Sequence, residues 1–173
     1  NRFKAVSFGN NTFVVVGNAG VILTTPDGIT WEQPVQGNPN NPHLRGITYG
    51  NNIWVAVGDK PSGGNGIIHT STDNGASWTA TTYNWLLKDL NGITYGNGTF
   101  VAVGNSGTIL TSTNGTSWVN ITSGDSTTIN RITYGNSTFI AVAASGKILT
   151  STDGETWEIQ TSTTTTTYFP LYD

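Results

Sequence analysis

The sequence predicts an all-β fold: a four-bladed β-propeller of four-stranded antiparallel blades, followed by an extended C-terminal tail strand. Three observations predict it. One unit recurs four times along the 173 residues, each unit divides into short apolar strands between Gly/Asn turns, and no stretch carries helical periodicity. A four-stranded unit every ~40 to 50 residues is the spacing of propeller blades, whose sheets pack face to face about an axis and leave few open edges.

The units are anchored at Phe8-Gly9-Asn10, Tyr49-Gly50-Asn51, Tyr95-Gly96-Asn97 and Tyr134-Gly135-Asn136, which stand 41, 46 and 39 residues apart. They set the boundaries. Blades are expected over about residues 3–37, 44–83, 90–124 and 129–162, all within a single domain spanning 1–162, with a Thr-rich, aromatic tail at 163–173. Turns such as Gly50-Asn51-Asn52 and Gly96-Asn97-Gly98 tolerate positive φ, so adjacent strands should form an antiparallel meander.

The strand after each anchor predicts the core. Phe13/Val15, Trp54/Ala56, Phe100/Ala102 and Phe139/Ala141 share one face, while Val14/Val16, Val55/Val57, Val101/Val103 and Ile140/Val142 share the other. Both faces are apolar, as a strand covered by a neighbouring blade on each side requires. Four blades fit the whole chain, and an eight-bladed ring made by two chains is the alternative closure.

A turn and a Trp close every unit. The turns read Thr25-Pro26-Asp27-Gly28-Ile29-Thr30-Trp31, Ser71-Thr72-Asp73-Asn74-Gly75-Ala76-Ser77-Trp78, Ser112-Thr113-Asn114-Gly115-Thr116-Ser117-Trp118 and Ser151-Thr152-Asp153-Gly154-Glu155-Thr156-Trp157. This pattern resembles the Asp-box, or bacterial neuraminidase repeat, S-x-D-x-G-x-x-W. The second copy matches its full spacing, the others are one residue shorter, and the third has Asn114 for Asp. With the G-I-T-Y-G-N and F-V-A-V-G segments, the unit is similar to repeats of photosystem II assembly-factor-type and exported bacterial propellers.

In that family the box is structural, with Asp accepting backbone N–H bonds, Gly supplying positive φ and Trp packing over the hairpin. A sharper alternative makes Asp27, Asp73, Asn114 and Asp153, with turn carbonyls, a calcium site. No other cofactor is expected. One carboxylate per turn is a thin ligand set for such an ion.

Composition narrows the function. Only 10% of residues are charged, the formal net charge is −3, and the seven basic residues are scattered singly along the chain, so nucleic acid is not an expected partner. There is no Cys for disulfides, thiolates or zinc, and no apolar run long enough to span a membrane. Asn1-Arg2-Phe3 has neither a starting Met nor a signal-peptide apolar region, as in a mature or trimmed chain. Sequons at Asn10, Asn97, Asn114, Asn120 and Asn136 are candidate glycosylation sites.

No catalytic residues are expected. The sialidase arrangement implied by the box needs converging arginines and paired acids, but Arg2, Arg45 and Arg131 show no common repeat position, and Glu32, Glu155 and Glu158 lie beside the turns or in outer strands. His43 and His69 lack the companions of a triad or a metal cluster. His69 takes a strand position held elsewhere by Leu23, Leu110 and Leu149.

Departures from the repeat point to partners instead. The second blade carries Asp59 to Asn65 between its middle strands and Tyr83 to Asp89 before the third blade. Tyr83, Trp85, Leu86 and Leu87 in the second insertion, and Tyr168, Phe169, Leu171 and Tyr172 in the tail, are the candidate partner-binding side chains. The reading is a non-catalytic extracellular or cell-surface assembly subunit that docks on itself or another surface protein through its C-terminal strand. A module binding a glycan or protein ligand is the alternative.

Overall fold

The computed structural model describes residues 2–33, 35–36, 42–59, 66–81, 83, 85–86 and 88–160. Residues 60–65, Leu87 and the tail with Tyr168, Phe169, Leu171 and Tyr172 lie outside them.

Four blades follow one another along the chain, as the repeat predicts. The first holds β1 (Phe3–Gly9), β2 (Thr12–Gly17) and β3 (Ile22–Thr25). β4 (Val35–Gln36) precedes the second blade, β5 (His43–Gly50), β6 (Ile53–Asp59), β7 (Gly66–Ser71) and β8 (Ser77–Thr81). The third is β9 (Leu90–Gly96), β10 (Thr99–Gly104), β11 (Thr108–Ser112) and β12 (Val119–Thr122). The fourth is β13 (Ile129–Gly135), β14 (Thr138–Ala143), β15 (Ile148–Ser151) and β16 (Glu158–Gln160). Every pairing within a blade is antiparallel.

Local chemistry explains the hairpins. Between first and second strands the two central residues both have positive φ: Asn10 and Asn11, Asn51 and Asn52, Asn97 and Gly98, Asn136 and Ser137. That is the turn whose twist matches antiparallel strands, and Asn and Gly bear its backbone at least cost. The first blade differs at its outer edge. There a single bridge, Thr24 to Glu32, takes the place of a fourth strand, and β4 instead runs parallel to β8 of the next blade.

Blades stack through a repeated pair of faces. Val14 and Val16 of the first blade bury against Trp54 and Ala56 of the second. Val55 and Val57 then meet Phe100 and Ala102, and Val101 and Val103 meet Phe139 and Ala141. The sequence expects both faces of all four second strands to be covered; this holds for β6 and β10 only. Phe13 on the first blade and Ile140 and Val142 on the fourth are exposed, because no neighbouring blade within the described residues stacks on those two faces.

Candidate binding site at the bulged end of the inner strands

The four innermost strands, β1, β5, β9 and β13, all start at the same end of the molecule. Near that start each carries one residue more than its neighbour: Lys4 lies between the pairs Phe3↔Gly17 and Ala5↔Val16, and Arg45, Asn91 and Asn130 occupy the same place in the other blades. An extra residue is a β-bulge, which re-aims its side chain. Four repeats therefore present Lys, Arg, Asn and Asn at one rim.

This bulged end also carries the turns between second and third strands and the connectors between blades. The opposite, turn end carries the hairpins and the closing turns before each Trp. The division sorts charge. Arg2, Lys4, Arg45, Lys88, Arg131 and Lys147 all lie at the bulged end with three carboxylates, Asp59, Asp89 and Asp125. Asp27, Glu32, Asp73, Asp153, Glu155 and Glu158 lie toward the turn end, with no Lys or Arg among the described residues there. Basic residues that look scattered along the chain are gathered in space, because positions 40-odd residues apart share one rim.

A polar network ties the rim. Arg45 Nε stands 2.9 Å from Asp59 Oδ1 and Nη2 3.6 Å from Asp89 Oδ2, while Nη1 donates to Asn91 Oδ1 at 2.7 Å. The Arg45 to Asp59 contact is close but poorly directed, so Oδ1 of Asp59 gains Coulomb attraction without an aligned hydrogen bond. Buried Asn91 donates to Asn105 Oδ1 at 2.9 Å and to the Ile129 carbonyl at 3.0 Å. Arg131 donates to the carbonyls of Asn130 and, at 3.5 Å, Asn91. Two of the three arginines, which the repeat alignment keeps apart, thus converge on Asn91. The network was legible only as four aligned polar residues preceding a Gly or Arg; the bulge that gathers them is a matter of register.

The remaining expected positions are placed as follows. At the turn end, one oxygen of Asp27 accepts the N–H groups of Ile29 and Thr30, and Asn114 and Asp153 repeat the arrangement. Asp73 accepts the Ser77 N–H at 2.9 Å and its hydroxyl at 2.5 Å. These donors hold the carboxyls low: Asp27 at about 2, chiefly through the Ile29 N–H; Asp73 at about 2, through the Ser77 hydroxyl; and Asp153 at about 2, through the Thr156 N–H. Trp78, Trp118 and Trp157 each donate from Nε1 to the turn glycine carbonyl at 3.0 Å, whereas Trp31 is left partly exposed.

One oxygen of each turn carboxylate accepts turn N–H and O–H donors, and no three His, Cys, Asp or Glu stand together among the described residues. In the second insertion Leu86 is buried in the core between the second and third blades, so it is not a partner-binding side chain. Tyr83 packs against the same core and donates to the Thr116 carbonyl. Trp85 stays exposed with its ring 5.1 Å from that of Tyr83. The five sequon asparagines are exposed. His43 Nδ1 accepts the Ala19 N–H at 3.3 Å, and His69 is buried.

The profile of the DUF6242 beta propeller domain matches residues 25–173 of the chain. No curated protein matches it. Among solved structures it is similar to YCF48 bound to D1 peptide, with 23% identity and a TM-score of 0.73 over 94% of this chain and 54% of that one. YCF48 from Cyanidioschyzon merolae gives 19% identity and a TM-score of 0.67 over 94% and 56%. The computationally designed Ika8 protein gives 15% and 0.64 over 87% and 45%. These are likenesses of fold, and the chain spans about half the length of each structure.

Proposed function

The chain belongs to the DUF6242 β-propeller family, and we propose that it is a non-catalytic protein-binding module that grips a carboxylate-bearing segment of its partner at the bulged end. The observation that carries this is the separation of charge along the axis, six cations at one rim and six carboxylates toward the other. The bulged rim keeps an excess of cations, six against the carboxylates of Asp59, Asp89 and Asp125, and such an excess steers and orients a partner of the opposite sign. Exposed Arg2, Lys4, Lys88 and Arg131 form no ion pair among the described residues, and of these Lys4 and Arg131 stand on the inner strands, at and beside the bulge, where such a segment would meet them. A YCF48 structure of the same fold holds a peptide, which supports a protein ligand for this one.

Catalysis has no support in this arrangement. Arg45 is engaged by Asp59 and Asp89, and Glu32, Glu155 and Glu158 lie toward the opposite end. In this reading the closing turns are Asp-box motifs with a purely structural role. The sparse charge and the exposed sequons favour an extracellular or cell-surface station.

The test is panning of a random peptide display library on the immobilised protein. Enriched peptides should be rich in Asp and Glu, release between 50 and 500 mM salt on the scale of a screening length falling from roughly 14 to 4 Å, and be lost by Lys4→Ala with Arg131→Ala. Enrichment that survives those substitutions, or none at all, removes the proposal. A fluorogenic sialoside should remain uncleaved throughout.

A further inference from the structure

The uncovered faces of the first and fourth blades are the two halves of an interface that the molecule already makes three times. At each internal interface the glycine of one blade receives an aromatic ring of the next: a Cβ on Gly9 would meet Tyr49 Cγ at 2.5 Å, one on Gly50 would meet Tyr95 Cγ at 2.1 Å, and one on Gly96 would meet Tyr134 Cγ at 2.1 Å. Gly135 is the fourth of the series and has no atom of the described residues within 4 Å. The ring that would fill it belongs to Phe8, which is 56% exposed.

A second set of contacts runs in the opposite sense and is broken at the same place. The turn glycines Gly75, Gly115 and Gly154 approach Val14, Val55 and Val101 of the preceding blade. Gly28, their counterpart in the first blade, again has nothing of the described residues within 4 Å. The residue at the matching position of the fourth blade, Ile140, is 41% exposed. Hence the first blade offers a knob at Phe8 and a hole at Gly28, and the fourth offers a hole at Gly135 and a knob at Ile140. Around Gly28, Phe3, Val6, Phe13, Val15 and Trp31 line an apolar groove.

We propose that these faces join two copies of the chain, the fourth blade of each stacking on the first blade of the other, to close an eight-bladed ring. Shape and polarity fit head to tail. Head to tail repeats the pairing of the three internal interfaces, an aromatic ring on the inner-strand glycine and the turn glycine on the second-strand Val or Ile. Closure with two copies fits the extent: the chain covers 54%, 56% and 45% of the solved structures on which it superimposes, so four blades fill about half a circuit and a two-fold axis brings the second half. Burying exposed Phe and Ile side chains supplies the drive.

Sedimentation velocity across micromolar concentrations tests the mass, and the absence of Cys makes a crosslink specific. Expected are a particle of twice the 18.3 kDa chain mass, its loss in Gly135→Tyr with the circular dichroism spectrum retained, and a disulfide-linked dimer when Phe8→Cys and Gly135→Cys chains are mixed. Neither variant alone should form that link. A monomer at every concentration, an open polymer, a dimer that the mixed variants do not crosslink, or an internal disulfide in the double variant overturns the proposal.

Discussion

Tyr134 lies where the side chain of Gly96 would be: a Cβ built on Gly96 stands 2.1 Å from Tyr134 Cγ and 2.3 Å from Cδ1. The contact crosses from the third blade to the fourth, and it recurs between every pair of stacked blades. Gly96→Ala forces either the ring or the strand to move, at a cost of about 1 to 3 kcal/mol by the usual penalty for overpacking. Urea unfolding should show a lower midpoint at unchanged slope. Gly98→Asn is the control: Gly98 has nothing of the described residues within 4 Å and φ +75, the positive-φ region Asn already adopts at Asn11 and Asn52, so it should cost little.

How much of this was legible in the sequence depends on which interaction each feature uses. Anchors such as Tyr95-Gly96-Asn97 and the alternation in β10 report hairpin geometry and burial, which are local, and they predict blades correctly. What covers a blade face is not local. Ile140 and Val101 occupy the same repeat position, yet one is exposed and the other fully buried, because only the number of blades per circuit decides who has a neighbour. The rim is similar: Arg45, Asn91 and Arg131 lie far apart along the chain, and a one-residue bulge in each inner strand brings them together. Leu86 looked like a connector residue and is core, because the insertion folds back onto the stacked strands.

The closing turns make acid stability readable. Asp27, Asp73 and Asp153 each titrate at about 2 in the folded chain against an ordinary 3.8. Unfolded chains therefore take up protons first as pH falls, so the stability these turns contribute is complete above pH 3.8 and lost as pH drops through about 2. Asn114 builds the same turn without a titrating group. Replacing the three Asp by Asn should lessen the fall in melting temperature between pH 4 and 2, leaving the share of Asp125, which the Lys147 side chain also holds at about 2; an unchanged acid limb would mean the turn carboxylates are not its source.

Asn91 holds three blades at the rim. Its amide accepts from Arg45 and donates to Asn105 and the Ile129 carbonyl, and it is buried. Asn91→Ala leaves those partners unpaired, which costs about 1 to 3 kcal/mol when a buried group loses its partner. Hydrogen exchange should rise first at Leu90, Asn105 and Ile129, where the network ends. Protection lost evenly over the whole chain, with no local onset, is the result that contradicts this assignment.

His69 is the one buried ring whose nitrogens both lack a hydrogen-bond partner among the described residues. It sits between Ala56 and Ala80 in the second blade, at the position that Leu23, Leu110 and Leu149 fill in the others. Burial alone pushes the imidazole down to about 4 from an ordinary 6.5. The folded state thus holds the neutral form, and protonation favours unfolding: stability is full above pH 6.5 and falls as pH drops toward 4, by about 3 kcal/mol for a shift of this size. His69→Leu restores the side chain of the other repeats and removes two unsatisfied nitrogens. It should raise stability at pH 7 by about 1 to 3 kcal/mol and leave the urea midpoint independent of pH between 6.5 and 4. A variant no more stable than the parent, or one that keeps the parent's pH profile, would show that the imidazole finds partners in solution that the packed sheet does not provide.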